Sequence, residues 1–162
     1  MSRFVMKQRW FSFGDSYTVR DAANEEVLRI KGKVFCIGNQ LSVQDMSGDE
    51  LATIDQKLLH WGPTYEIWRH GRLAAVVKKS VFTLLHCKFT VDVPGPDDLV
   101  AEGNFLENEY TFRRHGQRVA SVSREYFSWT DTYGIDVPYG EDPILIIASA
   151  VVIDLCCHGD NR

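Results

Sequence analysis

Apolar and polar residues alternate along most of the chain, and the alternation comes in short bursts. Six five-residue segments carry it most clearly: YTVRD from Tyr17, LSVQD from Leu41, YEIWR from Tyr65, FTVDV from Phe89, YTFRR from Tyr110 and YGIDV from Tyr133. Subtracting those numbers gives spacings of 24, 24, 24, 21 and 23 residues. In all six the first and third residues are apolar, and among the second and fourth only Trp68 is large and apolar. A period of two with one dry face is the pattern of a half-buried strand. A second series lies between them: FVMKQRWFSF, VLRIKGKVFCI, LATIDQKLL, LAAVVKKSVFTLL, LVAEGNF and VASVSREYFSW. Six segments of each kind predict twelve strands over about residues 4–138.

The joints carry turn chemistry. His70-Gly71 and His115-Gly116 fall where a two-residue hairpin needs positive φ, which glycine adopts freely and histidine occasionally. They belong to a longer echo, YEIWRHGRLAAVV from Tyr65 and YTFRRHGQRVASV from Tyr110, which reads as one hairpin written twice. Asp21–Asn24 and Asp45–Gly48 fit type I turns, and Gly14-Asp15, Gly38-Asn39 and Pro94-Gly95-Pro96 are further breaks. Short joints make successive strands antiparallel neighbours, so the predicted topology is a meander of repeated hairpins.

From Pro143 the pattern changes. Asp142 suits an N-cap, Pro143 a first helical residue and Gly159 a carboxyl-end stop, which predicts a helix over about 143–157. Nearly every side chain from Ile144 to Ile153 is apolar, so no face of this helix favours water. A bilayer takes about 20 apolar residues, and Asp154 interrupts a shorter run, so burial within protein is expected. Twelve strands about 4.8 Å apart and tilted about 40° close into a wall of radius about 12 Å. Side chains leave a bore of about 10–12 Å, the diameter of one helix. The predicted fold class is therefore all-β with one helix: a closed twelve-stranded antiparallel barrel around a hydrophobic C-terminal helix, with residues 1–162 as a single domain.

The phrases FSFGDSYTVRD, KLLHWGPTYEI, EGNFLENEYTF, REYFSWTDTYGIDV and EDPILIIASAVVIDL resemble the LURP-one-related family in the same order, from about Phe4 to Leu155. The resemblance implies the fold of the tubby carboxy-terminal domain, a twelve-stranded barrel around a helix, and a likeness to phospholipid scramblases. Tubby domains bind phosphoinositides through a basic surface, and no residue of that site aligns here. The family implies a non-enzymatic binding or scaffold module, with anionic phospholipid headgroups as one partner class and a protein as the other.

Composition narrows this reading. The net charge of −4 lacks the basic excess of a nucleic-acid binder. Cys36, Cys87, Cys156 and Cys157 form no C-x-x-C pair, which reads as reduced core filling rather than a zinc site. With no secretory h-region at the amino end, the expected location is cytoplasmic, with peripheral association at a membrane. There is no G-x-S-x-G, H-E-x-x-H, P-loop or G-x-G-x-x-G motif. His60, His70, His86, His115 and His158 all sit at joints, turns or the tail, and no catalytic or cofactor-binding residue is assigned. The alternatives are an enzyme using a carboxylate pair from Asp92, Asp97, Asp98, Glu102, Asp131 and Asp136, or a small-ligand carrier with a cavity in the barrel. Basic residues on predicted outer faces give the candidate lipid-binding set Lys31, Lys33, Lys78 and Lys79. Lys57 ends an equivalent strand, and Arg69, Arg72, Arg113, Arg114 and Arg118 flank the two RHG turns. Trp10, Trp68 and Trp129 are candidate contact aromatics. Asp154 is expected to reach solvent at a barrel mouth or to accept hydrogen bonds there.

Overall fold

A computed structural model of the protein describes residues 1–9, 16–32, 40–59, 62–83, 86–124 and 132–158. Twelve strands run in chain order. They are β1 (Ser2–Arg9), β2 (Ser16–Arg20), β3 (Glu26–Gly32), β4 (Gln40–Asp45), β5 (Glu50–Leu59) and β6 (Gly62–Arg69). Then come β7 (Arg72–Thr83), β8 (His86–Asp92), β9 (Leu99–Asn104), β10 (Glu109–Arg114), β11 (Gln117–Ser123) and β12 (Thr132–Val137). The helix α1 (Pro143–His158) follows. Each strand pairs antiparallel with the next, and β1 pairs with β12 to close the barrel. Among the described residues, closure gives every strand a partner on both sides.

The period-two residues form the core. Tyr17, Val19, Leu41, Val43, Tyr65, Ile67, Phe89, Val91, Tyr110, Phe112, Tyr133 and Ile135 are all buried, and they are the first and third residues of the six segments. These are the even strands. Four of the odd strands set a small inward residue, Ala52, Ala75, Ala101 or Ala120, beside a larger one, Ile54, Val77, Leu99 or Val122. Alternating large and small side chains leaves room for a helix on the axis. In α1 every residue from Ile146 to Asp154 is buried, as expected of a helix apolar on all faces. Among the described residues no helix is long and apolar enough to cross a membrane.

The hairpin repeat has a second feature that the sequence pattern did not reveal. Register shifts fall at Val19/Arg20, Val43/Gln44, Ile67/Trp68 and Phe112/Arg113. Each lies between the third and fourth residues of its five-residue segment, just before the turn. Bulges at matching places increase local twist and bend the strands, which helps the sheet close on itself. The turns match their chemistry. His70 and Gly71 have φ of 50° and 75°, and His115 and Gly116 of 49° and 79°. Asn24 donates to Asp21 O at 3.0 Å and Gly48 to Asp45 O at 3.1 Å. The breaks at Gly14-Asp15 and Gly38-Asn39 and the stop at Gly159 lie outside the described residues.

Meander topology sorts the connections by end. The upper end holds the β2–β3, β4–β5, β6–β7, β8–β9 and β10–β11 connections and the start of α1. The lower end holds the carboxyl terminus of α1 and the β9–β10 turn.

Candidate functional site

At the upper end the echoed hairpins meet the start of α1. Arg69 and Arg114 occupy the same position in the two copies, one residue before His-Gly. Arg69 Nη1 donates to Asp142 Oδ2. Arg114 Nη1 donates to both carboxylate oxygens of Glu141, at 2.7 and 2.9 Å. Asp142 Oδ1 accepts from the Ile144 and Leu145 amides at 3.0 and 3.4 Å, so the predicted N-cap is present. Two adjacent acids are thus gripped by two copies of one hairpin. His115 Nε2 lies 3.1 Å from Asp97 Oδ1, and Arg113 donates to Gly116 O. This corrects the expectation for Arg69 and Arg114: they hold the helix start and do not add free charge to a basic surface.

At the lower end a carboxylate is buried beside three tyrosines. Asp154 is 5% exposed, and its Oδ2 accepts from Tyr17 OH at 2.6 Å. Of the two expectations for Asp154, hydrogen bonding is the one realised, inside the barrel. Burial pushes its carboxyl above the usual range, while the Tyr17 hydrogen bond and His158 pull it back. His158 Nε2 is 4.0 Å from Asp154 Oδ1 and 3.3 Å from Phe105 O. Burial, then the Asp154 charge, pushes the Tyr17, Tyr110 and Tyr133 hydroxyls well above their ordinary values. Burial also pushes the Cys157 thiol up to about 12, against the opposing influence of Lys79. Cys87, Cys156 and Cys157 are half-buried thiols, and Cys36 lies outside the described residues. Among the described residues no three His, Cys, Asp or Glu side chains are arranged to hold a metal.

The outer wall carries a third feature. A groove of about 510 Å³ crosses β9 to β12 and β1. Its floor is small because Thr111, Ser121, Ser123 and Gly134 sit beside one another in the register. Arg3 forks onto Asp136 at 2.7 and 2.8 Å, a contact that holds the Asp136 carboxyl below its ordinary range. Glu109 accepts from Ser123 Oγ and the Arg124 amide.

The four candidate lysines do not form one patch. Lys31 is exposed, the outward neighbour of buried Ile30. Lys33 lies outside the described residues. Lys78 is outward and ion-paired with Asp92 at 3.1 Å. Lys79 pairs in register with buried Phe89 and follows the inward positions Ala75 and Val77, which brings it to the lower rim near Cys157. Lys57 is paired with Asp55 at 2.7 Å and approaches Glu66 at 3.7 Å. Trp68 is half-buried on the wall, and Trp10, Trp129, His60 and Asp131 lie outside the described residues.

A wider arrangement does emerge. Among the described residues every lysine stands in the half of its strand nearer the lower end: Lys7, Lys31, Lys57, Lys78, Lys79 and Lys88. The upper connections hold Asp21, Glu25, Asp49, Asp97, Asp98, Glu141 and Asp142. The upper end also carries arginines such as Arg72, Arg113 and Arg118, so the separation is one of lysines from turn carboxylates, a property that no five-residue motif encodes.

The profile of the LURP-one-related family matches residues 2–154. The chain belongs to the LURP-one-related family. A relative, the uncharacterized protein YxjI of Bacillus subtilis, is 31% identical over 161 residues, covering 99% of this chain and 97% of YxjI. An X-ray structure of an Arabidopsis thaliana protein superposes with a TM-score of 0.67 at 18% identity, covering 99% of this chain and 92% of that one. That likeness establishes the shared fold: the LURP-one-related chain is a closed β-barrel around its C-terminal helix. Both ends of that helix are held by polar contacts that reading the chain linearly did not connect.

Proposed function

We propose that this protein is a non-enzymatic binding module that presents the lower end of its barrel to anionic phospholipid surfaces. The observation that carries the reading is the end-to-end separation of charge, with lysines toward the lower end and turn carboxylates at the upper. A basic residue near an anionic leaflet contributes about 1 kcal/mol, and an asymmetric charge distribution orients the approach. With α1 on the axis, a binding surface at the rim or on the wall is favoured over a lumenal one.

Vesicle co-sedimentation tests the proposal. Binding is expected to phosphatidylserine or phosphoinositide vesicles at low salt, not to neutral phosphatidylcholine, with loss as salt screens the charges. No sedimentation with anionic vesicles at low salt rules it out. A protein-interaction module is the second reading, favoured by the wall groove on β9 to β12. In a lysate pull-down with lipid analysis, lipid retention that falls with Lys31→Glu supports the first. Retention of one protein that falls with Ser121→Trp supports the second.

A further inference from the structure

The groove on the outer wall holds donors without partners. Its volume of about 510 Å³ lies within the range of about 300–1,000 Å³ usual for small-ligand sites. One row of residues crosses it in register. Thr111 of β10 is opposite Ser121 of β11, Ser121 is opposite Asp136 of β12, and Asp136 is opposite Arg3 of β1. Their chain neighbours Tyr110, Phe112, Ala120, Val122, Ile135 and Val137 are buried, so this row faces outward.

Every carboxylate lining the groove is already answered within the protein. Asp136 takes the Arg3 fork, Glu102 holds Lys88 at 2.6 Å, and Glu109 accepts from Ser123 Oγ and the Arg124 amide. Among the described residues, three lining polar side chains have no such partner: the exposed Arg118 guanidinium and the hydroxyls of Thr111 and Ser121. The capacity left over is one positive charge and two hydroxyls that can donate. The three converge. Directly opposed residues of an antiparallel pair have Cβ atoms about 4.5–5.5 Å apart, so both hydroxyls can donate to oxygens of one anion. Arg118 precedes Ser121 on β11 by about 10 Å of strand, and its long side chain lines the same groove. A guanidinium fork matches the paired oxygens of a carboxylate or phosphate.

We propose that the groove binds a small soluble oxyanion, a carboxylate or phosphate, gripped by Arg118 with Thr111 and Ser121 donating from the floor. The site is on the wall and not at the lower rim, so the inference is independent of vesicle binding. It gives the groove a small ligand where the second reading gives it a protein.

Amide NMR titration of the full chain tests it, with inorganic phosphate and citrate as probes and chloride at equal ionic strength as reference. Saturable shifts are expected at Thr111, Ser121 and Arg118, and not at Arg72, an upper-end arginine outside the groove. Arg118→Gln is expected to weaken binding about tenfold, and Arg118→Lys less, because an ammonium keeps the charge but loses the fork. Vesicle sedimentation is expected to be unaltered in Arg118→Gln. No saturable shift with either probe, equal shifts at Arg72, or undiminished binding in Arg118→Gln means an adventitious ion only, or none, and overturns the proposal. Loss of vesicle sedimentation in Arg118→Gln overturns it as well, by assigning that charge to a lipid headgroup.

Discussion

Gly103 lies opposite Tyr110 across β9 and β10 at a φ of 145°. A Cβ there would meet Glu109 O at 2.5 Å and Tyr110 Cα at 2.6 Å, both backbone atoms that cannot step aside. Gly103→Ala is expected to cost about 2–4 kcal/mol in urea unfolding, through strain and displaced backbone. Asp154 gives a second prediction at this scale. Its folded-state pKa is raised, so its contribution to stability is fully present below the ordinary value of 3.8 and is lost as pH rises through the folded value. Asp154→Asn keeps an acceptor for Tyr17 and removes the ionisation. The variant is expected to melt a few °C higher at neutral pH and to show a flatter midpoint-versus-pH curve. An unchanged curve would mean that Asp154 does not dominate this pH range. The sequence marked Asp154 as anomalous because a carboxylate in an apolar run stands out. It could not name Tyr17, 137 residues away, as the partner.

The strands and the helix were legible as elements because their periodicities are local. The apolar first and third residues of each segment point inward, and Asp142-Pro143 opens α1. The purpose of the echoed RHG hairpins was not legible. Repetition suggested a structural unit, but only the closed barrel brings Arg69 and Arg114 onto the Glu141-Asp142 pair. Arg69→Ala or Arg114→Ala is expected to lower stability by about 1 kcal/mol, from loss of a partly buried ion pair at a helix N-terminus. Native-state hydrogen exchange distinguishes this from a general loss. Amides of the first turns of α1 should exchange faster in either variant while those of β2 to β4 are unaffected. Uniform acceleration throughout the barrel would contradict a local clasp.

At the scale of the molecule, the barrel converts scattered charges into a polar axis. Lys31 and Lys78 are separated by four places in the strand order, about 20 Å around the wall, so they act as members of a rim rather than as a pocket. The charge reversals Lys31→Glu and Lys79→Glu together are expected to lower the salt-sensitive part of anionic-vesicle binding at least tenfold. The double reversal Arg72→Glu/Arg118→Glu, at the upper end, serves as the charge-matched control and is expected to change it less than twofold. Equal effects of the two reversals would show that net charge, not polarity, governs the interaction. The sequence alone determined the strand count, the hairpin repeat, the inward residues and the helix, because each follows from alternation or capping within a few neighbours. The tertiary structure alone decided the bulge positions, the arginine clasp, the tyrosine-lined setting of Asp154 and the segregation of charge. Those depend on which distant strands become neighbours when the sheet closes, and closure is a property of the whole chain.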